Sequence, residues 1–181
     1  MRPIYLFVIF IVLFISCKKD KEPAVSKTEL PAYTEIGANT FSFIAEGREL
    51  ANAAKGELFF KGLTSEYIPS CECFDVSGDQ LGPTREGVYI SIRKGFDKTG
   101  TYLLNNDNSY ADYEYDEYHS FVYQTDSVHT GTLLITRLDT VNKIISGKFS
   151  FTAQRYAIDT LGSQPRIVKV RGQFDVHYPL W

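Results

Sequence analysis

The segment before the C-terminus alternates between apolar and polar side chains with a period of two. One set comprises Val168, Val170, Gly172, Phe174, Val176 and Tyr178, and the other comprises Lys169, Arg171, Gln173, Asp175 and His177. Successive side chains of a strand point to opposite faces, whereas a helix would scatter both sets around its axis. The pattern therefore predicts a β-strand with the first set in a core and the second set in water.

A hairpin is predicted before this strand. Residues 132–138 and 144–153 are rich in apolar and β-branched side chains, and Asp139 and Asn142 lie in the connection. Both residue types favour turns. The apolar face of the second arm consists of Ile145, Phe149, Phe151 and Ala153.

Short runs of similar character continue from residue 39 onward. Further strands are predicted at residues 40–45, 57–63, 67–76, 88–93, 101–104 and 120–124, with one short turn of helix at 49–54. About eight to ten strands fit this length. We therefore expect residues 37–181 to form a single all-β domain, either an antiparallel β-sandwich or a barrel-like sheet.

The N-terminus has the features of an export signal. Arg2 precedes an apolar run over residues 4–15, which is shorter than the roughly 20 residues of a spanning helix. Ser16 and Cys17 close the run, and a small residue before a cysteine resembles the lipobox of bacterial lipoproteins. Residues 1–16 are predicted to be a lipoprotein signal peptide and Cys17 to carry acyl chains such as palmitate. The alternative is an uncleaved anchor helix with a free cysteine.

Residues 17–36 are predicted to be the lipidated cysteine and a flexible tether. They are polar, with Pro23 and Pro31 and little periodicity. The mixture of lysines and acids after Cys17 resembles Bacteroidota lipoproteins in which such a run directs export to the cell surface. A solvated spacer is the plainer interpretation. We expect an outer-membrane lipoprotein of the cell envelope, attached to the membrane by its lipid and exposed at the surface in preference to the periplasm.

Four stretches of the chain resemble a family of small Bacteroidota lipoproteins of unknown function. They are residues 37–43, 131–139, 144–153 and 172–176, which contain turn glycines and core aromatic residues. The resemblance implies an all-β extracytoplasmic domain and carries no catalytic residues to transfer. The sequence departs from the family after the first hairpin, where residues 51–54 replace the usual aromatic segment.

Charge and motifs narrow the classes of function. The net charge of -3 offers no basic stripe for nucleic acid. The sequence contains no nucleophile elbow, zinc-binding helix or phosphate loop, and His119, His129 and His177 are scattered. We therefore expect a non-enzymatic module, without a cofactor, that binds a carbohydrate or an envelope protein. A structural component of an envelope complex and a hydrolase of unknown type are the alternatives.

One stretch of the chain combines tyrosines with acids. The tyrosines are Tyr110, Tyr113, Tyr115 and Tyr118, and the acids between them include Asp112, Glu114 and Asp116. In an extended chain these three acids share a face, where calcium would relieve their repulsion through oxygen ligands. Aromatic rings beside carboxylates also suit sugar binding. The four tyrosines are thus candidate ligand contacts and the three acids weak candidate metal ligands, while a mobile acidic loop is the plain alternative.

Two cysteines remain besides Cys17. Cys71 and Cys73 are predicted to lie on one strand and to face the same side. In an oxidising compartment they would form a local disulfide or remain two thiols with a structural role. A metal site normally needs more cysteine or histidine ligands than this pair supplies.

Three tripeptides, at residues 126–128, 139–141 and 159–161, contain an acidic, a hydroxyl and an apolar residue in that order. They resemble the O-glycosylation motif of exported Bacteroidota proteins. Ser127, Thr140 and Thr160 are therefore candidate modification sites. All three fall in predicted connections, where the alternative is that they are ordinary turn formers.

Overall fold

The computed structural model describes residues 29–45, 51–55, 62–80, 85–105, 107–116, 120–155 and 167–179 of the 181-residue chain. The strands are β1 (Thr40–Ala45), β2 (Ala51–Lys55), β3 (Leu63–Ile68), β4 (Cys73–Gln80), β5 (Arg85–Ile92), β6 (Gly100–Leu104), β7 (Ser109–Asp116), β8 (Ser120–Gln124), β9 (Gly131–Asp139), β10 (Ile144–Arg155) and β11 (Ile167–His177). The predicted all-β class is therefore confirmed, with eleven strands in the described part of the chain.

The strands form one antiparallel sheet in the order β2-β1-β11-β10-β8-β7-β5-β4-β3. The sheet branches at β10, because most of this strand pairs with β9 whereas its last residues, Gln154 and Arg155, pair with β8. β6 extends the branch by pairing with β9. The ends of the sheet approach each other where the Phe41 ring lies against Gly78 of β4. The sheet is thus nearly closed and barrel-like.

Aromatic rings fill the interior of the sheet. The ring centroid of Phe174 is 6.2 Å from that of Phe41 and 5.8 Å from that of Phe74. Phe149 packs against Phe41 with the centroids 5.4 Å apart. Burial of each such ring contributes about 1.5–3 kcal/mol. Because these rings come from β1, β4, β10 and β11, one core holds both halves of the sheet.

The predicted alternation of β11 is confirmed on its inner face and corrected on its outer face. The inner set, including Val168, Phe174 and Val176, is buried as expected. Gln173 and Asp175 point outward, yet they are 9% and 1% exposed. The reason is that residues preceding β1 lie across this part of the strand and exclude water from both side chains.

Asp175 fastens the chain before β1 to the sheet. Its carboxylate accepts hydrogen bonds at 2.7–3.0 Å from the Thr34 and Ser146 hydroxyls and from the backbone N–H groups of Ile36, Gly37 and Ala38. Burial alone would raise the pKa of this acid, but the hydrogen bonds outweigh burial and lower it. We call this arrangement, Asp175 with residues 34–38, the Asp175 clasp.

Further contacts hold the chain ahead of the clasp. The Pro31 carbonyl accepts a hydrogen bond of 2.6 Å from Gln173, and the Tyr33 hydroxyl lies 2.5 Å from Oγ1 of Thr136. Residues 31–36 are therefore bound to the domain, which corrects their prediction as flexible tether. Gly37 is required here, because its φ is +76° and a Cβ atom would meet the His177 ring.

Two local predictions are wrong. Residues 51–55 form strand β2 against β1, not a turn of helix, because pairing with β1 supplies backbone hydrogen bonds that the short segment cannot make alone. The single strand predicted at 67–76 is divided into β3 and β4 by a turn at 69–72. Pro69 lacks the N–H that a strand interior needs, and Glu72 has a φ of +54°, so the chain reverses there.

Candidate functional site

A groove opens at the end of the sheet where β5 ends, β7 begins and β8 passes into β9. Its volume is about 550 Å³. The lining includes Arg93, Asp107, Tyr110, Gln124, Asp126 and Ser127, and we call it the Tyr110 groove. Strand ends and connections from three parts of the sheet thus bring charged, amide, hydroxyl and aromatic groups together.

Arg93 and Tyr110 form one wall of the groove. The guanidinium carbon of Arg93 is 5.2 Å from the centroid of the Tyr110 ring, and its Nη2 atom donates a 3.0 Å hydrogen bond to the Tyr110 hydroxyl. That hydrogen bond raises the pKa of Arg93 further. The Tyr89 ring lies 5.9 Å from the Tyr110 ring on the outer surface. Tyr110 is therefore held in position from two sides.

Asp126 organises the opposite wall. Its Oδ1 atom accepts the backbone N–H groups of Val128 and His129 at 2.7 and 2.6 Å, and Oδ2 is 3.1 Å from the His129 ring. The hydrogen bonds from the His129 backbone, the His129 ring and Val128 lower the pKa of Asp126 to about 2. The carboxylate thus remains ionised at neutral pH, where it accepts hydrogen bonds and does not supply a proton.

The connection after β8 is anchored by Thr125. This residue is 4% exposed, and its Oγ1 atom accepts a 3.0 Å hydrogen bond from the Ala111 backbone. A second 3.0 Å bond runs from the Thr125 N–H to the Ala111 carbonyl. The two bonds fix the wall that carries Asp126 to β7, the strand that carries Tyr110. The bonds of Thr125 therefore connect the two walls of the groove.

The four tyrosines predicted as ligand contacts do not share one environment. Tyr110 lines the groove. Tyr113 and Tyr115 are 1% and 6% exposed, so they belong to the core and offer no face to a ligand in solvent. That part of the ligand-contact prediction is wrong, because alternation does not reveal which side of a strand faces inward. Tyr118 lies outside the described residues.

The predicted acids occupy the outer face of β7. Asp112 and Glu114 lie on the side opposite to Tyr113 and Tyr115, while the side chain of Asp116 lies outside the described part. Burial raises the pKa of Asp112 to about 6. Among the described residues, no group of three or more His, Cys, Asp or Glu side chains could hold a metal ion. The segment is a strand in the sheet and not a solvated loop.

Cys71 and Cys73 lie at the turn between β3 and β4. The two sulfurs are joined as a disulfide that spans Glu72. The prediction that the two cysteines lie on one strand is wrong, since Cys71 stands in the turn and Cys73 begins β4. The disulfide therefore closes the turn at its exposed surface.

Ser127 and Thr140 occupy two turns of similar geometry. Asp126 accepts the N–H groups of the residues two and three positions later, and Asp139 does the same with Val141 and Asn142 at 3.1 and 2.8 Å. The intervening hydroxyl residue is exposed in both turns. Their glycosylation stays a prediction, and Thr160 lies outside the described residues, as does Cys17.

Sequence reasoning missed Arg93, Gln124 and Asp126 as groove residues. No local pattern marks them, because Arg93 follows β5 whereas Gln124 and Asp126 lie at the end of β8 and just after it, and only the strand order brings these parts together. Tyr110 could be predicted as a ligand contact because aromatic and acidic residues cluster around it in the sequence. In the part of the chain that the structure describes, no helix is long and apolar enough to cross a membrane.

Comparison with known proteins gives one family. No curated protein and no solved structure matches the chain. The profile of DUF6252, described as a domain of unknown function, matches residues 81–172. The match covers just over half of the chain and includes every residue of the Tyr110 groove named above. The chain therefore belongs to the DUF6252 family.

Proposed function

We propose that the chain is an exported lipoprotein whose β domain is a non-catalytic binding module. The apolar run and Cys17 support a lipid anchor in the outer membrane, and the resemblance to Bacteroidota lipoproteins supports display at the cell surface. Two or more acyl chains give lasting attachment to a bilayer. The β domain would then present the Tyr110 groove to the surroundings of the cell.

The observation that carries this proposal is the state of the polar groups in the groove. Arg93 is bonded to Tyr110, and Asp126 is ionised and bonded to the loop that carries it. Groups fixed in this way recognise a ligand with little ordering cost. A base or a nucleophile, in contrast, needs a protonation state near its working pH. The geometry favours binding over proton transfer.

The ligand class that fits these groups best is a carbohydrate. The guanidinium of Arg93 donates hydrogen bonds, the carboxylate of Asp126 accepts them, and the amide of Gln124 does both. Sugar hydroxyls need this combination of donors and acceptors. The groove volume of about 550 Å³ lies within the range of small-molecule sites.

The ligand test compares the full chain with two groove variants on a glycan array and by calorimetry. Arg93→Ala and Tyr110→Phe each remove part of the hydrogen-bonded wall. We expect affinity to fall about tenfold to hundredfold for Arg93→Ala, which loses a charged donor, and less for Tyr110→Phe. Lys94→Ala removes a neighbouring exposed cation outside the named groove residues and should bind as the parent does. Retention on no glycan would count against a carbohydrate ligand, and crosslinking to an envelope protein would then identify a protein ligand.

The anchor and the location need separate measurements. Labelled palmitate should enter the parent chain and not the Cys17→Ala variant. A non-penetrating protease should remove the domain from intact cells while a periplasmic control protein survives. Unlabelled parent chain would exclude lipidation, and protection until the outer membrane is broken would place the domain in the periplasm.

A further inference from the structure

The outer side of β6, β9, β10 and β11 carries cations beside exposed leucines. Outward positions there include Leu103, Thr132, Leu134, Lys148, Lys169 and Arg171, and we call this surface the basic–apolar face. Leu103 is 60% exposed and Leu134 is 41% exposed. Leu103 lies on β6, the outer strand of the described branch, and Leu134 lies on the neighbouring inner strand β9. Strands with one solvated face normally place polar residues at such outward positions.

Strand register places these residues in neighbouring rows. Leu103 pairs with Thr132, which pairs with Ser150, which pairs with Arg171. In the next row, Leu134 pairs with Lys148. Directly paired side chains lie about 5 Å apart. The leucines and the cations therefore belong to one continuous surface and are not scattered over the molecule.

The charged side chains at the outward positions of the four segments that form this face are all cations. The segments that form it are residues 100–104, 131–135, 148–152 and 167–171, and none of their outward positions carries an acid. Lys148 lies over the Tyr33 ring at 4.4 Å, at the border of the face. Cations beside exposed apolar side chains are the combination that binds an anionic lipid surface, since the cations attract headgroups and the apolar groups enter the interface.

The N-terminal chain meets the domain at this border. Pro31 is bonded to Gln173, which pairs with Lys148 of the face. The chain from Cys17 to residue 29 spans at most roughly 40 Å even when fully extended. A lipid on Cys17 would therefore hold the domain within one domain diameter of the bilayer, with the basic–apolar face beside the point of attachment.

We propose that the basic–apolar face docks on the anionic surface of the bilayer that holds the anchor. The inference rests on the proposed lipidation of Cys17 but concerns a different part of the molecule. Docking turns a loose attachment at one residue into a defined orientation of the domain. Each cation of the face contributes about fivefold to the ratio of docked to undocked chain.

The experiment uses the full lipidated chain on vesicles with an environment-sensitive fluorophore. Thr132→Cys places the label on the face, and Thr64→Cys, at an exposed threonine of β3, is the matched control. Cys71 and Cys73 are joined to each other, so the introduced cysteine takes the label. Vesicles consist of phosphatidylcholine alone or of phosphatidylcholine mixed with phosphatidylglycerol.

We expect the emission at position 132 to rise and shift to the blue on the anionic vesicles only, with no change at position 64. Lys169→Ala and Arg171→Ala should each lower the docked-to-undocked ratio about fivefold, and added salt should lower it further. Lys94→Ala, an exposed cation on the connection after β5, should leave the ratio unchanged.

Three fluorescence results would overturn the inference. Unchanged emission at position 132 on anionic vesicles excludes docking. Equal rises at positions 132 and 64 indicate unspecific coating of the vesicles. A rise that depends on protein concentration without vesicles indicates a second copy of the chain on this face. Flotation with the phosphatidylcholine vesicles reports the anchor separately, so a chain that floats without emission change overturns docking alone, whereas a chain that fails to float overturns the anchor and this inference with it.

Discussion

Two regions of the outer surface of the sheet differ in the charged side chains that their strands present. The outward residues of β3, β4 and β7 include Glu66, Asp75, Asp79, Asp112 and Glu114, and we call this the acidic face. The basic–apolar face has cations and leucines at the corresponding positions of β6, β9, β10 and β11. Both faces cover the same aromatic core. The difference lies therefore in the side chains that each face presents, not in the fold beneath it.

Asp112 and Asp175 show what decides the charge of a shielded acid. Burial raises the pKa of Asp112 to about 6 although Gln124 bonds to it, and its Oδ1 atom is buried without a hydrogen-bond partner. Asp175 is 1% exposed, yet its pKa is lowered by the donors of the clasp. The comparison teaches that the donors around a carboxylate, more than its burial, set its pKa.

The largest effect is expected where the two faces share their core. Phe174→Ala removes a ring that contacts Phe41 of β1 and Phe74 of β4. Deleting a buried phenylalanine side chain should lower the free energy of unfolding by about 3–5 kcal/mol. Urea unfolding followed by far-UV and near-UV circular dichroism measures the change.

The two optical signals also test whether the domain unfolds as one cooperative unit. They should fall together in the parent chain and in the Phe174→Ala variant, because one core supports both halves. Leu103→Ala, at an exposed position, is the control and should change the free energy of unfolding by less than about 0.5 kcal/mol. Separate transitions would mean that aromatic packing and secondary structure are lost in different steps, so that the domain does not unfold as one cooperative unit.

The next effect concerns the clasp. Asp175→Asn replaces an acceptor of several hydrogen bonds with an amide that has fewer acceptor sites and no charge. We expect the free energy of unfolding at pH 7 to fall by about 2–3 kcal/mol, because buried N–H groups lose their partners. Chemical denaturation measures it, and Asp75→Asn on the acidic face, where the side chain is half-exposed, is the matched control. Equal losses in the two variants would contradict the comparison between the faces.

A smaller effect is expected from Asp112, which makes the stability of the fold depend on pH. Because the folded pKa of Asp112, about 6, lies above its ordinary value of 3.8, the folded chain retains a proton that the unfolded chain releases. This acid therefore favours folding below about pH 4, and its contribution declines as the pH rises to about 6. Asp112→Asn should flatten that decline and raise stability at pH 7 by about 1 kcal/mol, discounted because the side chain is partly exposed.

Asp175 has the opposite effect on how stability changes with pH. Its lowered pKa means that its contribution is complete above the ordinary pKa of 3.8 and is lost as the pH falls further. Thermal unfolding of the parent and both Asn variants from pH 3 to pH 8 separates the two acids. If Asp112→Asn leaves the slope between pH 4 and 6 unchanged, the raised pKa of Asp112 is wrong.

The smallest effect on stability is expected at the leucines of the basic–apolar face. Leu134→Ser changes an exposed side chain and should alter the free energy of unfolding by less than about 0.5 kcal/mol. The same change should weaken docking to anionic vesicles, because the serine contributes no apolar surface to the lipid interface. A large loss of stability together with normal docking would reverse both expectations.

Period-two patterns predicted the strands that span the core. Residues 132–138 and 144–153 were expected to form a hairpin, and they lie within β9 and β10. The division of residues 67–76 at Pro69 was not predicted, although a proline lacks the N–H that a central strand requires. Strand β2 was missed because its alanines and asparagine give no alternation, and only pairing with β1 makes it a strand.

Contacts between residues that are distant in the sequence could not be predicted from the pattern of side chains. Asp175 and Gln173 alternate as surface residues of β11, and nothing local indicates that residues 31–38 cover them. The Tyr110 groove is a similar case, because Arg93, Tyr110 and Asp126 stand on three separate parts of the chain. Only Tyr110 could be proposed from sequence, on the strength of the aromatic and acidic residues beside it. Long-range strand order determines which residues meet, and a single sequence does not reveal that order.

The Asp175 clasp also has a mechanical consequence. It lies between the N-terminal chain and β1, so tension applied through that chain reaches the contacts of Pro31 and Tyr33 first and the Asp175 carboxylate next, before it reaches β1. The bonds from Thr34, Ile36, Gly37 and Ala38 converge on one side chain and therefore share the load. Rupture of the clasp would add the few residues that it holds to the free N-terminal chain. Strand β1 would remain paired with β2 and β11. When the protein is pulled by its N-terminus, the residues of the clasp can therefore extend before the β-sheet begins to unfold.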